Sequence, residues 1–208
     1  MRNATQLIAL AALVTATVSC GDVVRQGSSP VYLVIDLLQG RRGAVTPGTL
    51  GNPVISDVIT NVTAPDPCTT TNPCPTIFND LGSVTLRTPL KDPGATAPLS
   101  PTTNNEVTIN RYHVEYVRAD GRNTPGVDVP YAFDSALTAT IGAGGSVTLA
   151  FELVRSVAKQ EPPLVQLKTS PNIISMTARI TFYGADRVGN AVQTTGQIQI
   201  EFGNFGDF

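Results

Sequence analysis

The sequence has no tryptophan, one histidine (His113) and few charged residues, and each scarcity narrows the possible functions. With one histidine, there are few ways to build a His-dependent nucleophile or a His-rich metal site. Charged residues make up 14% of the chain and nearly balance, with a formal net charge of −2. Because nucleic-acid binding requires a basic patch or stripe, we expect no nucleic-acid partner.

Recognisable catalytic motifs are also missing. The sequence contains no Gly-x-Ser-x-Gly elbow and no glycine-rich loop of the phosphate-binding kind. Its acidic residues are scattered, and no spacing selects a carboxylate pair for acid–base chemistry. We therefore expect a protein that is not an enzyme, with no catalytic residues and no small-molecule cofactor.

A membrane-spanning run is absent, but the chain begins with a shorter apolar segment. Residues 7–18 are uncharged and too few to cross a bilayer as a helix, which takes about 20 residues. Arg2 precedes this segment, and small residues follow it. A charged start, a short apolar middle and small residues near a cut site are typical of a secretory signal.

The end of the segment, Thr17-Val18-Ser19-Cys20, resembles the lipobox of bacterial lipoproteins. In that family a peptidase cuts before the cysteine, which is then diacylated on its sulfur. The resemblance implies a cleaved signal peptide at residues 1–19 and lipidation of Cys20. Residues 20–29 would then be a tether, and residues 30–208 a single domain.

The lipobox resemblance also predicts where the protein is located in the cell. A lipidated Cys20 would anchor the protein in the bacterial cell envelope, at the outer membrane or the cell surface. Thr17 stands where the family usually has leucine, so ordinary cleavage after Ala16 is the alternative. In that case the protein would be secreted or periplasmic.

The other two cysteines, Cys68 and Cys74, lie close together in the loop CTTTNPC. An exported chain meets an oxidising environment, which favours a local disulfide between them. A metal site would need two further ligands, and His113 is far away in the sequence.

Alternating apolar and polar residues, separated by glycine- and proline-rich turns, predict many short strands. No helical pattern lies between them, so we expect an all-β fold: an antiparallel two-sheet sandwich of about eight or nine strands. The predicted strands cover residues 31–38, 54–62, 83–88, 107–118, 127–133, 137–141, 147–153, 174–183 and 192–202.

Two details of this pattern can be tested. The apolar phase changes within residues 107–118, which predicts a β-bulge near Asn110–Arg111. The last four strands predict two hairpins, one turning at residues 142–145 and one turning after Tyr183.

The segments RYHVEYVRADG and ITFYGADRVGNAVQTTGQIQIEF resemble the middle and closing strands of bacterial immunoglobulin-like or fibronectin type III-like domains. The resemblance covers roughly residues 107–202. It implies an Ig-like or fibronectin type III-like β-sandwich.

Five turn residues are candidates for a calcium site. Extracellular domains bind calcium through carboxylate and carbonyl oxygens, although aspartate and asparagine are also the residues that turns require. Three candidates flank one turn and two flank another: Asp120, Asn123 and Asp128, then Asp186 and Asn190.

The expected function is a non-catalytic, lipid-anchored interaction or structural module that binds another envelope protein. A carbohydrate-binding module is the alternative. It would need Tyr112, Tyr116 and Tyr131 as an exposed platform, whereas their alternation with valine favours burial. An accessory domain of a secreted enzyme is a third possibility. Phe205 and Phe208, beyond the last strand, either pack back on the domain or form an interaction site.

Overall fold

The computed structural model describes residues 27–46, 48–91 and 102–206. The fold is all-β, as predicted, and the helices in these ranges are three short 3-10 helices at Thr103–Asn105, Ala158–Gln160 and Leu164–Thr169. No helix in the described ranges is long and apolar enough to cross a membrane. The strands are β1 (Val34–Arg41), β2 (Val54–Asp57), β3 (Thr60–Val62), β4 (Cys74–Thr76), β5 (Asp80–Arg87), β6 (Val107–Val117), β7 (Phe133–Ile141), β8 (Ser146–Val154), β9 (Ile174–Asp186) and β10 (Ala191–Gly203).

The strands form three sheets, ordered β1-β5-β8, β2-β10-β9-β6-β7 and β3-β4. The three-stranded sheet is antiparallel. The prediction of antiparallel sheets throughout was wrong for the five-stranded sheet, because β2 runs parallel to β10 at its edge. That sheet is therefore mixed.

The described part of the chain has ten strands instead of the predicted eight or nine, because three short segments differ from the secondary structure that their sequence pattern predicted. Residues 54–62 divide into two strands, since the Asp57 side chain accepts hydrogen bonds from Ile59 N and Thr60 Oγ1 and turns the chain. Residues 74–76 add β4. Residues 127–132 lie outside the named strands, with one isolated bridge joining Pro125 to Val129.

The predicted bulge in β6 is confirmed. The register shifts between Ile109 and Arg111 in the pairing with β7 and again in the pairing with β9. Asn110 is the extra residue of the bulge, and because of it Ile109 and Tyr112 both face the core. Arg111 points outward beside Tyr183, its partner on β9.

The predicted hairpin turning at residues 142–145 was wrong. β7 pairs with β6, whereas β8 pairs with β5, so the turn carries the chain from one sheet to the other. Thr88 holds this corner: its N–H donates to Gly145 O, and its hydroxyl donates to Gly142 O at 2.7 Å. The final hairpin, β9 and β10, is confirmed, with Ala191 opposite Ala185 and Phe202 opposite Ile174.

Aromatic rings connect the two larger sheets. The Tyr112 ring on β6 lies 5.3 Å from Phe151 on β8, and Phe151 lies 5.4 Å from Phe182 on β9, in edge-to-face arrangements. The Tyr116 hydroxyl donates to Leu153 O at 2.7 Å, so it also spans the sheets. Tyr112 and Tyr116 are thus core residues, as their alternation with valine favoured, and the alternative of an exposed platform fails for both. Tyr131 alone of the three is exposed.

Candidate functional site

The predicted disulfide between Cys68 and Cys74 is present, with their Cα atoms 5.3 Å apart. It fastens the loop after β3 to the first residue of β4. A disulfide is compatible with an extracytoplasmic or secreted protein. Cys20, the predicted lipidation site, lies outside the described residues.

The first three calcium candidates form their ion pairs and hydrogen bonds within their own turn. The Asp120 carboxylate pairs with Arg118 at 2.6 Å and with Arg122 at 3.3 Å. The Arg118 hydrogen bond, with the Arg122 N–H, lowers the pKa of Asp120 to about 2. Asn123 Oδ1 accepts from Arg118 N, and Asp128 Oδ2 accepts from Thr124 N. These oxygens are occupied by hydrogen bonds within the loop.

The other two candidates, Asp186 and Asn190, also form hydrogen bonds within their own turn. Asp186 Oδ1 accepts from Val188 N and Asn190 N, and Oδ2 accepts from Asn190 Nδ2. Although burial acts to raise it, these hydrogen bonds hold the pKa of Asp186 below its usual value. Because Asp186 pairs with the first residue of β6, whereas the other turn follows the last residue, the two groups lie at opposite ends of that strand. Within the described ranges, no cluster of three or more His, Cys, Asp or Glu side chains is placed to hold a metal ion.

The predicted C-terminal interaction site is only partly described. Phe205 turns back, its N–H donating to Asp57 Oδ1 at 3.3 Å. Its ring covers Gly203 so closely that a Cβ atom there would lie 3.1 Å from the ring. Phe205 is thus half-buried against the domain, while Phe208 lies outside the described residues.

An open groove of about 580 Å³ lies at one end of the five-stranded sheet. Residues between 27 and 33 build one side of it together with Lys91. An isolated bridge between Val31 and Leu90 brings these two distant stretches together. The β6 bulge and the β9–β10 hairpin build the other side. The lining residues are Gly27, Ser29, Val31, Tyr32, Leu33, Lys91, Asn110, Arg111, Tyr183, Gly184, Ala191, Val192 and Gln193.

Two aromatic rings in this groove each lie near a cation. The Arg111 guanidinium lies 3.9 Å from the Tyr183 ring centroid, and Lys91 Nζ lies 5.2 Å from that of Tyr32. Tyr32 is 54% exposed. The described lining includes two cations and no carboxylate, although Asp134, beside the groove, pairs with Arg111 at 3.0 Å. The groove therefore suits a polar, negatively charged ligand with faces that stack on tyrosine.

A second polar cluster lies inside the molecule, and the sequence reading missed it. Lys159 Nζ lies 2.8 Å from Asp80 Oδ1, and both side chains are fully buried. Asp80 also accepts hydrogen bonds from Gly43 N at 2.8 Å and from Ser56 Oγ at 2.5 Å. Lys159 Nζ donates a second hydrogen bond to Asp57 O at 2.8 Å. Burial raises the pKa of Asp80 despite the opposing attraction of Lys159.

No family model matches the chain, and no curated protein matches it significantly.

Proposed function

We propose that the protein is a non-catalytic, lipid-anchored binding module of the bacterial cell envelope. The distribution of the three cysteines carries this proposal. Because Cys68 and Cys74 bond to each other, only Cys20 remains, directly after the secretory signal. Diacylation would explain its position, since two acyl chains give stable anchoring where one gives only marginal binding.

The proposal includes an immunoglobulin-like sandwich as the scaffold. In such domains one sheet carries strands in the order G-F-C-C′, and strands B and E pair in the other. The order β10-β9-β6-β7 and the pair β5-β8 fit this scheme. Tyr112, on the strand equivalent to C, packs against both sheets where antibody domains place their tryptophan.

The anchor makes a direct prediction. The wild-type protein, expressed in a bacterial host with radiolabelled palmitate, should carry label, and Cys20→Ser should carry none because the acylated sulfur is gone. Cys68→Ser is the control and should keep its label. Label on Cys20→Ser, or an unlabelled wild type, would show that the protein is not anchored through this residue.

The groove supports a second, more specific candidate function, the binding of an acidic saccharide. Sugar rings stack on aromatic faces, and the exposed Tyr32 ring offers one, while the Tyr183 ring lies under the Arg111 guanidinium and supports it. Arg111 and Lys91 would pair with carboxylate or sulfate groups on such a ligand. This version of a carbohydrate-binding module uses different tyrosines from those that the sequence pattern suggested.

Arg111→Ala tests this candidate. We expect it to weaken binding of oligogalacturonate roughly ten- to a hundredfold, since a charge-assisted hydrogen bond contributes about 1.5–3 kcal/mol. Isothermal titration calorimetry would measure the dissociation constants. Arg122→Ala is the matched control: it removes one exposed arginine outside the groove and should leave affinity unchanged. Equal weakening by both variants would indicate non-specific charge attraction, and absence of binding to the wild type would reject this ligand.

A further inference from the structure

The buried pair of Lys159 and Asp80 has the reactants of an amide bond in contact. The lysine nitrogen lies 2.8 Å from a carboxylate oxygen, and both groups are shielded from water. Lys159 lies on the short helix Ala158–Gln160, and Asp80 is the first residue of β5. The surrounding core holds both groups in place, so their contact is a fixed geometry of the kind that raises effective concentration strongly.

We propose that Lys159 and Asp80 condense to form an intramolecular amide. One proton passes from the Lys159 ammonium to Asp80 Oδ1, giving an amine and a carboxylic acid. The nitrogen lone pair then attacks Cγ, and Oδ2 carries the developing negative charge. A second proton moves from nitrogen to Oδ1, the Cγ–Oδ1 bond breaks, and one water leaves. Amine plus acid gives amide plus water, so no further reactant is needed.

Two hydrogen bonds of the buried pair would also be needed by the amide product. Ser56 Oγ–H donates to Oδ2, which becomes the amide carbonyl oxygen, and it would stabilise the charge on that atom during attack. Lys159 Nζ donates to Asp57 O, which would accept the remaining amide N–H. Both ends of the new amide would therefore have hydrogen-bond partners close by.

The departing oxygen, Oδ1, accepts from the Gly43 N–H. Gly43 is half-buried, so the departing water would form next to a partly exposed residue. The loop reaches Asp80 because residue 43 has no side chain: a Cβ atom there would lie 2.1 Å from Asn79 O.

Burial promotes the first step. A dry environment disfavours the Asp80 carboxylate and raises the pKa of that group, so its neutral acid is more accessible than it would be in water. Conversion to a neutral amide would then remove the remaining cost of two buried charges.

Peptide mass spectrometry of the full-length protein, isolated from expressing cells and reduced before tryptic digestion, tests the proposal. The expected product is one species joining peptides 43–87 and 156–168, lighter than their sum by one water, with no cleavage after Lys159. Recovery of an unmodified 43–87 peptide together with separate 156–159 and 160–168 peptides would overturn the proposal. Because this measurement uses the wild-type protein, it does not depend on any variant folding.

A pair of variants tests the role of Ser56. Ser56→Ala removes the donor to Oδ2 and should lower the joined fraction at a fixed time after synthesis several-fold. Thr60→Ala removes a nearby hydroxyl that hydrogen-bonds Asp57 instead, and should leave the joined fraction unchanged. Equal joined fractions in both variants and in the wild type would contradict the role assigned to Ser56.

Discussion

Replacement of Lys159 by methionine is expected to lower the free energy of unfolding by about 3–5 kcal/mol or more. Methionine keeps much of the length of the side chain but removes the cation, which leaves the buried Asp80 carboxylate without its partner. The variant also cannot form the proposed amide. Denaturant unfolding at neutral pH would measure the loss. Lys168→Met, on the neighbouring short helix, is the control and should change stability by less than about 0.5 kcal/mol.

The destabilisation should depend on pH, with a sign that identifies its cause. In Lys159→Met, burial would raise the folded-state pKa of Asp80 without an opposing cation. A carboxyl with a raised folded pKa stabilises the folded state while it is protonated, and that contribution is lost as pH rises through the folded pKa. The deficit should therefore be smallest near about pH 4 and grow toward about pH 8. A deficit of constant size would mean that Asp80 is not its source.

The features that the sequence predicted correctly depend on neighbouring residues. The β9–β10 hairpin follows from strict alternation on both sides of one turn, and the β6 bulge follows from a phase change within a single strand. The Cys68–Cys74 disulfide joins residues six apart. Each of these features is therefore set by residues that are close together in the sequence.

The errors concern partners that are distant in sequence. Alternation predicted both strands around residues 142–145, but it does not say which sheet a strand joins, and β7 and β8 join different ones. The sequence pattern was ambiguous at this point. Tyr112 and Tyr116 are different: their alternation with valine favoured burial, and the facing sheet buries both rings.

Both polar sites were beyond sequence reasoning for the same reason. Lys159 lies in the polar stretch AKQEPP, where a lysine is ordinarily solvated, and its partner Asp80 is 79 positions away. The groove joins Tyr32 and Lys91 from one side to Arg111 and Tyr183 from the other. No spacing along the chain signals either set, because the tertiary fold alone brings the members together.

Phe182 and Tyr183 are adjacent on β9 and offer a matched test of the fold and the groove. Phe182→Ala is expected to lower the free energy of unfolding by about 3–5 kcal/mol, because its fully buried ring contacts both Tyr112 and Phe151 and its removal leaves a cavity. Tyr183→Ala removes a ring of similar size from the opposite, solvent-facing side, and should cost less than about 1 kcal/mol.

The two variants should rank in the opposite order when loss of saccharide affinity is measured instead of loss of stability. Tyr183 lines the groove and stacks with Arg111, so its removal should weaken oligogalacturonate binding, whereas folded Phe182→Ala should bind as the wild type does. Denaturant unfolding and calorimetric titration of the same two proteins provide both measurements. Comparable losses of stability would contradict the assignment of the two faces of β9. Unchanged affinity in Tyr183→Ala would instead remove its ring from the proposed binding site and leave the fold assignment intact.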